Sequence, residues 1–333
     1  MKLHILVFLL LTPALLAGCG ANVFAAPDSA ATKTLENTVQ AATLLPPTET
    51  ATVTLTSSIT PTFTPSPTPT ATWVVQGPDA VKVPILIYHH IAVSPVDSRY
   101  YVPPDKFEDE IRLLRDWEYT PITTTMLVDA INNGASLPPR PIIITFDDAN
   151  EDNYTNAFPI MRKYGMTGVL YLPYDYIGLK GYLAVDQIKE MVSAGWEVGS
   201  HSLTHPNLAV LDAPRLRNEV VASRKKLQTL LGVPILTFAY PFGDVGSSTV
   251  DYVKFAGYIA AMGATGYTAD QGRNNLYVLQ RSEIKSSDDA KNFVRFLPWQ
   301  GDPIFLPTDT PTATPAPSRT PIPTYTQYPT KTP

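Results

Sequence analysis

One cysteine, Cys19, stands in a chain of 333 residues. A single thiol excludes an intramolecular disulfide framework and any multi-cysteine zinc or iron–sulfur site. Charge is sparse too, at 17% Asp, Glu, Lys and Arg, with a net charge of −5. That leaves no basic excess of the kind nucleic-acid binding requires, so nucleic acid is not an expected partner. A neutral polymer such as a polysaccharide remains open. No apolar run is long enough to span a bilayer: the longest, residues 5–17, falls short of the ~20 residues needed. Histidine is also scarce, with five in the whole chain. Proline is the exception, and its 33 residues are about twice the usual share of ~5%.

The apolar run follows Met1-Lys2 and ends in Leu16-Ala17-Gly18-Cys19, a pattern read as an export signal rather than a membrane helix. Its ending resembles the bacterial lipobox. The resemblance implies cleavage before Cys19, lipid attachment to that thiol and an extracytoplasmic, membrane-anchored chain. Residues 19–78 and 302–333 read as disordered Thr/Pro-rich arms. Thr43 to Thr72 holds 12 Thr and 6 Pro, and Pro303 to Pro333 holds 9 of each. Neither arm has the hydrophobic periodicity that would offset the entropy of ordering it. One domain is expected between them, over residues 79–301, and a monomer is favoured.

Within that domain short apolar runs alternate with amphipathic segments. Strands are expected at Val83–Tyr88, Pro141–Phe146, Gly168–Leu172, Trp196–Gly199, Pro234–Ala239, Tyr258–Met262 and Tyr277–Leu279. Helices are expected over Pro104–Trp117, Thr123–Asn132, Asp152–Tyr164, Val185–Ala194, Ala213–Leu231, Ser248–Ala256 and Ser287–Leu297. Strands apolar on both faces and separated by helices indicate an α/β fold with a covered parallel sheet. About seven such units favour a distorted (β/α) barrel, whose chemistry sits at the C-terminal strand ends.

The polar residues collect there. The strand PIIITF runs into Asp147-Asp148, WEVG into Ser200-His201 with His205 four residues on, and the first strand into His89-His90. Four of the five histidines thus fall at predicted strand ends. If residues 201–205 form one helical turn, both imidazoles point the same way. With one of the two aspartates they make a two-histidine, one-carboxylate metal site with open positions. The second aspartate is then free to take a proton from water acidified by the ion. Either motif alone is a common surface or loop feature; their shared placement carries the inference.

These residues resemble the polysaccharide deacetylases of carbohydrate esterase family 4, the NodB-homology domain. Its T-F-D-D motif stands as Thr145-Phe146-Asp147-Asp148, and H-[ST]-x-x-H as His201-Ser202-Leu203-Thr204-His205. The resemblance implies a distorted barrel and hydrolysis of N-acetyl groups on an N-acetylglucosamine-containing polysaccharide, with acetate released. It makes Asp147 the base and Asp148, His201 and His205 the ligands of one divalent ion, zinc first, with cobalt, nickel or iron as alternatives. The opening VPILIYHHI resembles the branch in which an N-terminal Tyr-His supplies the general acid. That branch includes poly-N-acetylglucosamine deacetylases, and it points to His89. Strand alternation places His90 on the opposite face.

Three departures stand out. Ala149 replaces the Gly that usually follows T-F-D-D. Ala239 occupies the place of the third-motif Arg that holds the base, and Arg281 is the candidate substitute. The last motif reads Leu279-Gln280-Arg281, with no His. Tyr240 and Phe242, in the stretch FAYPFG, are candidates for contact with substrate or oxyanion. The competing readings are a catalytically impaired glycan-binding domain on the same fold, a carbohydrate O-acetyl esterase, and a non-haem iron oxygenase, which also uses two histidines and a carboxylate.

Overall fold

The computed structural model describes residues 72–301 except 264, 265 and 267. The signal segment, Cys19 and the tail after residue 301 lie outside the described residues, as does the first arm up to residue 71. In chain order the strands are β1 (Val74–Gln76), β2 (Ala80–Lys82), β3 (Ile85–Tyr88), β4 (Thr120–Pro121), β5 (Ala135–Leu137), β6 (Pro141–Asp147), β7 (Val169–Leu172), β8 (Glu197–Ser200), β9 (Thr237–Ala239), β10 (Ala260–Met262), β11 (Asp270–Gly272) and β12 (Ser282–Glu283). The α-helices are α1 (Pro104–Asp116), α2 (Thr124–Asn133), α3 (Phe158–Lys163), α4 (Val185–Ser193), α5 (Ala213–Arg217), α6 (Ser223–Leu231), α7 (Ser247–Phe255) and α8 (Ala290–Val294).

Seven strands form one curled parallel sheet in the order β10-β9-β8-β7-β6-β3-β12. Its two edges meet near Leu279, whose N–H donates to Ala261 O and whose carbonyl accepts from Gly263 N. This is the expected distorted barrel. β3 and β6 are buried along their whole length, so both faces must be apolar. One face of the sheet sends Leu86, Tyr88, Ile144, Phe146, Leu170 and Leu172 into the main core beneath the helices. The other sends Ile85, Ile143, Val169 and Tyr171 into a second cluster with Leu127 and Ile131 of α2. Phe107, Ile111 and Leu114 of α1 are the helical stripe that covers the first face, as the sequence spacing predicts. α2 is capped by Thr123, whose hydroxyl accepts from Met126 N.

Four details differ from expectation. The folded region starts before residue 79: β1 pairs antiparallel with β5, inside the stretch read as linker. The last barrel strand is β12 rather than Tyr277–Leu279, where only Leu279 bridges, to Met262. The expected helices at 152–164 and 213–231 each contain a π-helical turn, at Asn153–Ala157 and Asn218–Ala222. Such turns often mark functional sites, and both lie beside the cleft described next.

Candidate active site

The inward register of β6 carries Ile143, Thr145 and then Asp147, which is only 2% exposed. Its partner is Arg281, 1% exposed, one residue before β12. The guanidinium grips both carboxylate oxygens, Nη1 to Oδ1 and Nη2 to Oδ2, each at 2.8 Å. It is itself fixed by Gly263 O at 2.9 Å and Thr145 Oγ1 at 3.2 Å. Burial works against ionisation of Asp147, but Arg281 and His201 outweigh it, so the carboxyl lies below its ordinary range. The arginine absent at Ala239 is thus present at Asp147 from another strand.

Asp148 should alternate to the far side, but it has φ +73° and Ala149 follows at +60°. The left-handed turn re-aims Asp148 toward the cleft. Glycine adopts such a φ at no steric cost, which explains what a Gly at position 149 would do. Alanine bears roughly 1–2 kcal/mol there while burying its methyl group.

His201 and His205 converge, although not through a helical turn. Residues 201–205 form an irregular bend in which Ser202 and His205 have φ of +70° and +59°. The bend is tied down by a residue that sequence reasoning missed. Glu219, buried in the π-turn after α5, accepts from Leu203 N at 2.9 Å, Thr204 N at 2.8 Å and Thr204 Oγ1 at 2.7 Å. Backbone strain at a site persists when surrounding contacts over-determine it, and Glu219 supplies three of them. Nothing in its sequence position signals this, because the π-turn sets its reach.

His201 Nδ1 lies 2.8 Å from Ala239 O. That bond fixes the tautomer with an unprotonated Nε2 facing the cleft. His201 Nε2 is 3.2 Å from His205 Nε2 and 3.6 Å from Asp148 Oδ1, and His205 Nε2 is 3.1 Å from Asp148 Oδ1. Burial and the His205 imidazole push His201 down to about 4 against the pull of Asp147 and Asp148. Burial opposes charge on Asp148 as well, but contact with His205 and the imidazoles of His201 and His89 hold its carboxyl well below the usual range. Asp148 Oδ1 is buried and accepts no hydrogen bond. Two imidazole nitrogens and an orphaned carboxylate oxygen, all within 4.8 Å, fit a divalent cation.

His89 continues the inward register of β3 and lines the same cavity, of about 200 Å³. Its ring meets Tyr100 edge-on at 4.8 Å, and its backbone carbonyl is held by Asn150 and Asn153. His90 turns away, with Nδ1 bonded to Asp152 at 2.6 Å and its ring stacked on Tyr101 at 4.0 Å. Tyr240 brings no free polar group to the cleft, since its hydroxyl donates to Tyr277 O and its N–H to Met262 O. Phe242 stands at the mouth, 64% exposed, with its ring 4.9 Å from His205 and φ +61°. Asp147, Asp148, His201, His205, His89, Tyr240, Phe242 and Arg281 therefore surround one cavity.

Residues 134–261 match the family model described as polysaccharide deacetylase. The chain is 28% identical over 220 residues to YxkH of Bacillus subtilis, provisionally named a polysaccharide deacetylase, across 65% of this chain and 76% of that one. It is 26% identical over 207 residues to the poly-β-1,6-N-acetyl-D-glucosamine N-deacetylase of Staphylococcus aureus, covering 58% of this chain and 70% of the relative. The structure is similar to the Streptococcus pyogenes deacetylase PplD, solved with acetate, at a TM-score of 0.61 and 26% identity. That match covers 65% of this chain and 98% of PplD.

Proposed function

Because this chain carries a polysaccharide deacetylase domain, we propose that it is a divalent-metal-dependent hydrolase that removes N-acetyl groups from an N-acetylglucosamine-containing polysaccharide outside the cytoplasm. The observation that carries this reading is the convergence of Asp148 Oδ1, His201 Nε2 and His205 Nε2 beside the buried Asp147–Arg281 pair. A divalent ion held by those three residues supplies Lewis acidity toward an acyl carbonyl and acidifies water. Two imidazoles and a carboxylate suit zinc, and the same set accepts cobalt, nickel or iron.

The chain's own groups do the rest. Asp147, kept ionised by Arg281, takes the proton of the attacking water. Because Arg281 holds both oxygens, the carboxylate cannot rotate out of line. The Phe242 N–H, at the mouth of the same cavity, is the proposed donor to negative charge on the acetyl oxygen. His89, across the cavity, hands a proton to the departing amine. The products are acetate and a glucosamine unit.

An impaired glycan-binding domain is favoured by the absent third-motif arginine and by the last motif's lack of a histidine; the Arg281–Asp147 pair takes away the first ground, and His89 is the proposed replacement for the second. Esterase action differs only in the leaving group and is separated by comparing amide with ester substrates. The signal-like apolar run and the lipobox-like ending at Cys19 support an anchored enzyme acting on an envelope or matrix polymer. The test is acetate release from N-acetylglucosamine oligomers with and without chelator. Release abolished by chelator and restored by zinc or cobalt is expected. Undiminished release in chelator, or none with metal bound, overturns the reading.

A further inference from the structure

Glu283 has no part in the chemistry above, yet it lines the same cavity as Asp147, Asp148, His201 and His205. It stands two residues beyond Arg281, on the same inward register. At ~3.3 Å per residue its side chain sits about 7 Å nearer the mouth than that of Arg281. It pairs in register with Ile87 of β3, two residues before His89. The carboxylate is well enclosed, with the side chain 13% exposed, but it is poorly satisfied. Arg99 approaches to 3.5 Å and Lys285 to 3.8 Å, and both belong to exposed or half-exposed side chains. Among the described residues the Glu283 carboxylate accepts no hydrogen bond within the 3.5 Å of its nearer ion pair. Arg99, by contrast, donates to the Tyr100 hydroxyl at 3.1 Å and lies over the Tyr100 ring. The unfilled capacity therefore belongs to the carboxylate, which offers about four acceptor positions.

The strand order says what can fill it. β12 lies across the mouth from β8, with β3, β6 and β7 between them. A sugar whose acetamido group faces Asp148, His201 and His205 must turn another edge of its ring toward β12. That edge carries hydroxyl donors. A carboxylate with free lone pairs, already shielded from bulk water, is a strong acceptor for them.

We propose that Glu283 is a sugar-binding residue: it accepts hydrogen bonds from ring hydroxyls of the acetamido sugar in the cleft and so fixes which way the ring is turned. The inference rests on the deacetylase reading for the position of the acetamido group. Its test is binding, which separates its failure from the failure of that reading.

The chain carrying Asp147→Asn, loaded with zinc, is titrated calorimetrically with N-acetylglucosamine trimer and, by NMR, with acetate, which has no hydroxyl. Adding Glu283→Ala should weaken the trimer tenfold or more and leave acetate binding unchanged. Adding Arg99→Gln instead should change trimer binding by less than about threefold. Equal trimer affinity with and without Glu283 overturns the proposal, and so does a parallel loss for acetate, which would mean a collapsed cavity. It also falls if Arg99→Gln reproduces the loss and the two changes together add nothing, since Glu283 would then act through Arg99. Failure of the trimer to bind at all overturns it as well. Trimer binding that depends on Glu283, together with no acetate release from the zinc-loaded wild type, would contradict the deacetylase reading and leave the sugar contact standing.

Discussion

Replacing Arg281 by methionine isolates the pair on which the base depends. The side chain is similar in length, so the change removes charge and donors more than volume. Asp147 would stay buried with no countercharge, while Gly263 O and Thr145 Oγ1 each lose a donor. Breaking a buried ion pair from one side costs roughly 3–5 kcal/mol. At roughly 2–4 °C per kcal/mol for a domain of this size, the metal-free protein should melt on the order of 10 °C lower.

The pH dependence should reverse as well. In the wild type Asp147 titrates below its ordinary range. It therefore contributes stability that is present above the unfolded pKa of ~3.9 and is lost as pH falls through the depressed folded value. Without Arg281, burial prevails and the carboxyl rises above its unfolded value, so the variant loses stability as pH increases. The gap between variant and wild type should be smaller at pH 5 than at pH 8. Adding Asp147→Asn to Arg281→Met removes the stranded charge and should recover about 2 kcal/mol or more. Denaturation of the four proteins of this cycle, after chelation, gives the result. A destabilisation under about 1 kcal/mol, a gap independent of pH, or no recovery in the double variant refutes the argument.

The remaining predictions concern neighbouring groups. His89→Gln should lower kcat about a hundredfold or more, whereas His90→Gln should lower stability by about 1–3 kcal/mol through its lost bond to Asp152 and leave kcat within about twofold; equal effects on kcat would contradict the assignment. Glu219→Gln should weaken metal affinity about 10–100-fold, the range for groups that orient ligands, with a melting temperature that exposes any general unfolding; unchanged affinity by competition with a chromophoric chelator would show the 201–205 bend to be held by other contacts. Burial raises Glu110 to about 7 despite its bond from Tyr88, so the wild type should lose on the order of 3 kcal/mol between pH 5 and 8 from this group. Glu110→Gln keeps an acceptor for Tyr88 and should flatten that part of the stability profile; an unaltered profile counts against the buried, proton-bound state.

The barrel strands were legible where sequence and burial coincide. β3, β6 and β7 are apolar on both faces, and no other local structure suits such runs. β1, β2, β5 and β11 escaped because they are short and half exposed, so they carry neither an apolar run nor a clear alternation. β12 is Ser-Glu, polar because it lines the mouth, and the apolar Tyr277–Leu279 was the more strand-like text. Within the site, alternation separated His89 from His90. Alternation alone does not account for Asp148, whose approach depends on a left-handed φ that Asp-Ala does not announce. The two histidines meet as spacing suggested, but by a bend tethered to Glu219 across a π-turn, and such irregular turns leave no periodic signal. Arg281 was within reach of sequence reasoning because a base held at Asp147 needs a cation, and the third motif lacked one.

The central claim is that Asp147 is the base beside a metal held by Asp148, His201 and His205. It is tested most directly by acetate release from N-acetylglucosamine oligomers, comparing wild type and Asp147→Asn at equal measured zinc content. The account predicts a loss in kcat of at least about a thousandfold, within the range for removing a positioned base, with both proteins binding one equivalent of zinc. Asp147→Asn retaining more than about a tenth of the wild-type rate, or failing to bind zinc while Asp148→Asn binds it, would contradict it.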